Sequence, residues 1–220
     1  MCWNAEVSLN TFLFSSFVML LVIYNNNYTQ YKINFVDGSS NLWAYMFMFS
    51  FIFMQLIEFF IWKNVHNPVL NSFFTLLATI LLLIQPIVSM MLLSGQMRTY
   101  LIVPYLLLVI PFFLYRYNTK KIHSSITPLN HLHWNSLLYS DENMLFIVWL
   151  FFFLFPLFYQ GYIFGFLFGF VTLLVMAYNY NKDRSFGSMW CWVVNTVVIY
   201  YAVYLLFYLP FYEGRGRGRL

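Results

Sequence analysis

The chain has 220 residues, of which 62% are hydrophobic, 24% aromatic and only 8% charged, with a formal net charge of +4. So few charged side chains cannot clothe a soluble globule of ordinary surface, and long apolar runs recur from end to end. The composition excludes a soluble enzyme or binding domain and predicts an all-α, polytopic transmembrane bundle of about seven spans: residues 1–212 form one membrane domain and 213–220 a short basic tail.

A helix needs about 20 apolar residues to cross the hydrocarbon core. In chain order the spans are predicted at 8–24, 41–62, 70–93, 99–115, 143–159, 161–180 and 188–209. The first run lacks a basic leader and a small-residue cleavage site, so it is read as a retained span rather than a signal peptide. Gln160 and Gly161 leave almost no connection between the fifth and sixth spans, so one of that pair is expected to be re-entrant or strongly tilted. Residues 118–142 form the only sizeable loop. Pro86, Pro104, Pro111 and Pro156 fall inside apolar runs, where kinks are expected and neighbouring helices satisfy the freed carbonyls.

With seven spans, Lys63, Arg116, Lys120, Lys121, Lys182 and Arg184 share the side of the N-terminus, against Lys32 and Arg98 opposite. The positive-inside rule then places the N-terminus in the cytoplasm, although Arg215, Arg217 and Arg219 of the tail fall on the other side. Asn27-Tyr28-Thr29, a glycosylation sequon, lies on the non-cytoplasmic side in this assignment. The threading also brings distant residues to one face: Cys2 and Trp3, Glu58 and Trp62, the loop residues His131, His133 and Trp134, and Trp190, Cys191 and Trp192. With Trp149, six of the seven tryptophans gather there, all but Trp43. They read either as an interfacial belt or as part of a site.

Glu58 is the one acidic residue inside the apolar stretch 43–62. A charged group at that depth costs roughly 2.5 to 3.5 kcal/mol on insertion scales, so it marks either a neutral, hydrogen-bonded packing group or a site that exchanges a proton or binds a cation. Gln55 and Trp62, at i−3 and i+4, share its helix face. Gln85, followed by Pro86, is placed deeper and is expected to reach the same pocket from the neighbouring helix.

Cys2 and Cys191 admit a disulfide if the compartment is oxidising, two buried thiols, or a zinc site completed by Glu58 and His131. No Cys-x-x-Cys or His-Glu-x-x-His spacing supports the last. A cysteine nucleophile would draw on His131 or His133 as its base. No lysine lies within a span, which excludes a retinal Schiff base, and no phosphate loop, selectivity filter or arginine-rich voltage sensor is present. Gly161, Gly165 and Gly169 form a small-residue ridge that packs helices within the chain or pairs two copies. The Arg215, Arg217, Arg219 tail is either a solvated end or a contact for RNA or an anionic surface; the chain carries no other nucleic-acid signal.

At Met1-Cys2-Trp3-Asn4-Ala5, at Gln55-Leu56-Ile57-Glu58-Phe59-Phe60-Ile61-Trp62 and at Ser188-Met189-Trp190-Cys191-Trp192 the chain resembles a family of uncharacterised multi-pass membrane proteins, mostly bacterial. Their corresponding motifs read Met-Cys-Phe-Ser-Ala, Gln-Gln-x-x-Glu-Gly-x-x-Trp and Ser-x-Trp-Cys-Phe. Trp3 and Asn4 depart from Phe and Ser, and Phe59 stands where the family has Gly. The resemblance implies a shared site at Cys2, Glu58, Trp62, Trp190 and Cys191 without naming its chemistry. Three functions fit the residues: a channel, transporter or ligand-binding protein with a cation or proton pocket at Glu58; a thiol- or metal-dependent membrane enzyme; or a structural or assembly protein.

Overall fold

A computed structural model describes residues 4–29, 33, 41–119, 121–135 and 144–211. Helix α1 (Ala5–Tyr28) starts at Asn4, whose side chain accepts the Val7 N–H at 2.9 Å and caps the first turn. After α2 (Asn41–Lys63), a tight turn leads to Asn67, which caps α3 (Pro68–Met90) from a position just before a proline at N1. Helix α4 (Gln96–Thr119) returns the chain to the same end. Beyond a two-stranded sheet come α5 (Met144–Tyr159), α6 (Ile163–Tyr180), α7 (Phe186–Val194) and α8 (Val197–Val203), which runs into a π-turn at Tyr204–Tyr208. The fold is an all-α bundle.

Six helical runs among the described residues are long and apolar enough to cross a membrane, the last being the continuous stretch Phe186–Phe211. The seventh apolar helix is α5, the short member of the fifth and sixth pair, whose 16 residues rise only about 24 Å. Its register against α3 shows why. Trp149 bonds the carbonyl of Leu82 and Ser89 bonds that of Phe153, so the two helices run parallel and α5 begins well inside the bundle. Gly161, at φ +80°, then closes α5 in a Schellman turn: Tyr162 N–H donates to Leu157 O at 2.9 Å and Gly161 N–H to Phe158 O at 3.1 Å. That left-handed residue makes the near-absent connection to α6 feasible.

The long loop holds a β-hairpin, which the sequence reading did not anticipate. Strands β1 (His123–Ile126) and β2 (Leu132–Asn135) pair antiparallel, with Ser124 opposite Trp134. The turn is Thr127-Pro128-Leu129-Asn130: proline presets its first corner, Asn130 takes φ 57°, and Thr127 N–H closes onto His131 O at 2.8 Å. On β2, Leu132 and Trp134 are buried in the main core while Asn135 is exposed. The hairpin is therefore a cover folded onto the bundle end.

The main core joins residues of α1, α2, α3, β2, α5, α6, α7 and α8, and a smaller one seats α4 through Tyr105 and Val109 against Met90 and Phe152. Outward residues such as Leu20, Leu107 and Phe211 stay more than half exposed, as a lipid-facing surface requires. Gly165 and Gly169 are used inside this chain. A Cβ at Gly165 would strike the Tyr162 ring, and one at Gly169 would sit 3.3 Å from Leu154 on α5.

Candidate functional site

Hydrogen bonds across the bundle place the site at the end carrying the hairpin. Trp192 Nε1 donates to Thr11 Oγ1 at 3.2 Å, which sets the second half of α7 beside the first half of α1. His133 Nδ1 lies 2.9 Å from Arg184 O, and Thr127 Oγ1 donates to Asp183 at 3.5 Å, so the hairpin is latched to the α6–α7 connection. Asn71 of α3 binds Ser124 of β1 in both directions, at 2.7 and 3.0 Å. These contacts bring His131 and His133 of the hairpin to the α6–α7 connection, which leads into the helix that carries Cys191. Cys2, Trp3, Lys32, Lys120, Arg215, Arg217 and Arg219 lie outside the described residues.

Glu58 is fully buried, five residues from the end of α2, or about 7.5 Å along its axis. Gln55, on the same face one turn deeper, is also fully buried, and neither its amide nitrogen nor its oxygen has a hydrogen-bond partner among the described residues. The same is true of Trp62 Nε1. Cys191 of α7 is fully buried within electrostatic reach of the Glu58 carboxyl. One turn further along α7, Asn195 donates to Cys191 O at 2.8 Å and, more weakly, to Phe51 O on α2 at 3.4 Å, with its own Oδ1 left over among the described residues. Asn195 was not singled out from the sequence. A polar residue at i+4 from Cys191 in an apolar run was the available signal.

Gln85 is fully buried but engages a different level from Glu58. Its Nε2 reaches Ser50 O at 3.4 Å and its Oε1 has no partner among the described residues. Ser50 lies eight residues before Glu58, about 12 Å along α2. Gln85 therefore extends the polar seam toward the opposite face rather than bonding Glu58 as expected.

Trp190, next to Cys191, points toward α6 because consecutive helical residues diverge by about 100°. Its Nε1 is 3.1 Å from both Gly169 O and Thr172 Oγ1, and its ring meets Trp149 and Phe153 edge-on at 6.0 and 5.8 Å. Trp149 stacks on Phe153 at 5.0 Å. Both indoles are at most 1% exposed, so these two tryptophans form an aromatic block in the core and not a belt at the interface.

The loop histidines face the α6–α7 connection. The buried His131 ring meets Tyr180 edge-on, and burial lowers its pKa below the ordinary 6.5 against the opposing pull of the Asp183 carboxylate. His133 is held at Arg184 O. Among the described residues, no three of His, Cys, Asp and Glu come together as a metal site. No family model, curated protein or solved structure matches this chain, so its chemistry is read from its own geometry.

Proposed function

We propose that this integral membrane protein binds a cation or exchanges a proton at Glu58, as a channel, transporter or ligand-binding protein. The observation that carries the reading is Glu58 and Gln55 fully buried on one face of α2, with both polar atoms of the Gln55 amide free of protein partners among the described residues. A buried polar atom without a partner costs about 1 to 3 kcal/mol, which a bound ion or water offsets. Carboxylate and amide oxygens are the ligands that hard cations take.

Asn195 Oδ1 and Gln85 Oε1 extend this line of acceptors along α2, as a permeation or exchange path needs. The likeness of the Glu58, Trp62 and Cys191 motifs to the uncharacterised membrane family supports treating them as one site. In this reading the hairpin face is cytoplasmic, because Lys63, Arg116, Lys121, Lys182 and Arg184 share it while Arg98 stands at the other end.

The test is reconstitution in liposomes with a pH-sensitive dye inside, alongside cation-dependent thermal shifts in detergent. Glu58→Gln is expected to abolish pH-dependent flux and the cation-dependent shift while leaving the helical spectrum intact. A Glu58→Leu variant that is more stable and retains full flux would assign the carboxyl to packing alone.

A further inference from the structure

A cleft of about 690 Å³ opens at the hairpin end between the α2–α3 turn, the last turn of α4 and strand β1. It is separate from the Glu58 seam. His66, Lys121 and His123 line it together with Tyr117 and Ser72, and no carboxylate is among the described residues that do so. The side chains of His66, Lys121, His123, Tyr117 and Ser72 can each donate a hydrogen bond to a ligand there.

The floor of the cleft is rigid. Asn71 and Ser124 are nearly fully buried and lock to each other, and Thr75 Oγ1 stands 2.8 Å from Ser124 Oγ beneath them. A cavity held open in this way spares the ligand the cost of ordering its walls. Apolar side chains adjoin the lining residues along the chain. Val69 and Phe73 follow Pro68 and Ser72 on α3, Leu114 lies three residues before Tyr117 on α4, and all three are more than half exposed on helices long and apolar enough to cross a bilayer. A ligand with a phosphate and two acyl chains matches both parts, the head among His66, Lys121 and His123 and the tails along the α3–α4 surface. Basic pockets between helix ends at this depth are where anionic headgroups bind.

We propose that this cleft is a phosphate-binding site occupied by the headgroup of an anionic phospholipid. Free phosphate shares the head chemistry but would make no use of Val69, Phe73 and Leu114.

Native mass spectrometry of the detergent-purified full chain, titrated with phosphatidylglycerol, phosphatidylcholine or inorganic phosphate, tests it. Wild type is expected to bind phosphatidylglycerol at least about tenfold more tightly than phosphatidylcholine, and K121Q/H123Q to lose that preference, since a charge-assisted hydrogen bond is worth about a factor of ten. Ser72→Asp, which places a carboxylate in the cleft without touching Lys121 or the two histidines, is expected to do the same. Unchanged melting temperatures certify that the variants are folded. An equal affinity for the two lipids, or a preference that survives in both variants, overturns the proposal. Inorganic phosphate that binds alone and displaces phosphatidylglycerol, in a manner dependent on Lys121 and His123, overturns the lipid source and leaves a site for soluble phosphate.

Discussion

The indole N–H of Trp149 donates to the carbonyl of Leu82 at 2.6 Å, and that carbonyl is the one Pro86 leaves free. A proline inside a helix offers no N–H to the residue four positions earlier, and its ring pushes the neighbouring carbonyls outward. Tyr105 Oη takes the next carbonyl, Leu83 O, at 2.8 Å. Helices α4 and α5 are thus both anchored to the defect in α3.

Trp149→Phe keeps the stack on Phe153 but leaves the buried Leu82 carbonyl without its donor, and is expected to cost about 1 to 3 kcal/mol. Pro86→Ala restores the intrahelical N–H. The Trp149→Phe change should then cost measurably less in the Pro86→Ala background, as read by thermal unfolding in detergent through a double-mutant cycle. Equal costs in the two backgrounds would separate Trp149 from the proline.

Asn71 acts as an extra strand residue for β1, with its amide meeting both the N–H and the C=O of Ser124. Replacing it by Leu strands both buried backbone groups. Limited proteolysis should cut after Lys121 far sooner in Asn71→Leu than in wild type, with a fall in stability of about 2 to 4 kcal/mol from two lost bonds. Asn71→Asp keeps the acceptor alone and should fall between the two.

His131 supplies a pH dependence whose sign follows from its lowered pKa, set by burial and opposed by Asp183. Between the folded value and the ordinary 6.5 the unfolded chain holds the extra proton. Stability is therefore complete above about pH 6.5 and declines as pH falls toward the folded value. Melting temperatures measured downward from neutral pH should show this decline in wild type and a flatter profile in His131→Gln. Asp183→Asn removes the opposing attraction and should enlarge the loss.

Gly165 and Gly169 are distinguished by what surrounds them. Alanine at 165 must displace the Tyr162 ring, which stands 3.4 Å from Tyr201 through its hydroxyl, whereas alanine at 169 meets only a Leu154 methyl at 3.3 Å. Gly165→Ala is expected to lower the melting temperature more than Gly169→Ala, with no change of oligomeric state on size-exclusion chromatography in either.

Much of the architecture was legible in the chain because apolar runs of spanning length leave the backbone no alternative to helix in lipid. Glu58 and Gln55 were legible for a related reason: a carboxyl and an amide three residues apart fall on one helical face wherever the helix packs. The burial of Leu132 and Trp134 was not, although Thr127-Pro128-Leu129-Asn130 carried the turn chemistry, because four-residue strands give too short an alternation to stand out from a polar loop. Nor was the pairing of Pro86 with Trp149. A proline announces that a carbonyl is freed but not which helix will answer it.

The sequence by itself determined the helices and the placing of Glu58 beside Gln55 on one helical face. Only the tertiary structure decided that Gln85 sits at the level of Ser50 rather than Glu58, that Trp190 belongs to the core, and that α5 is the short helix of its pair. Helical periodicity fixes which residues share a face, whereas the axial register between helices is set by side-chain bonds such as Trp149 to Leu82 and Asn195 to Phe51, which join residues far apart in the chain.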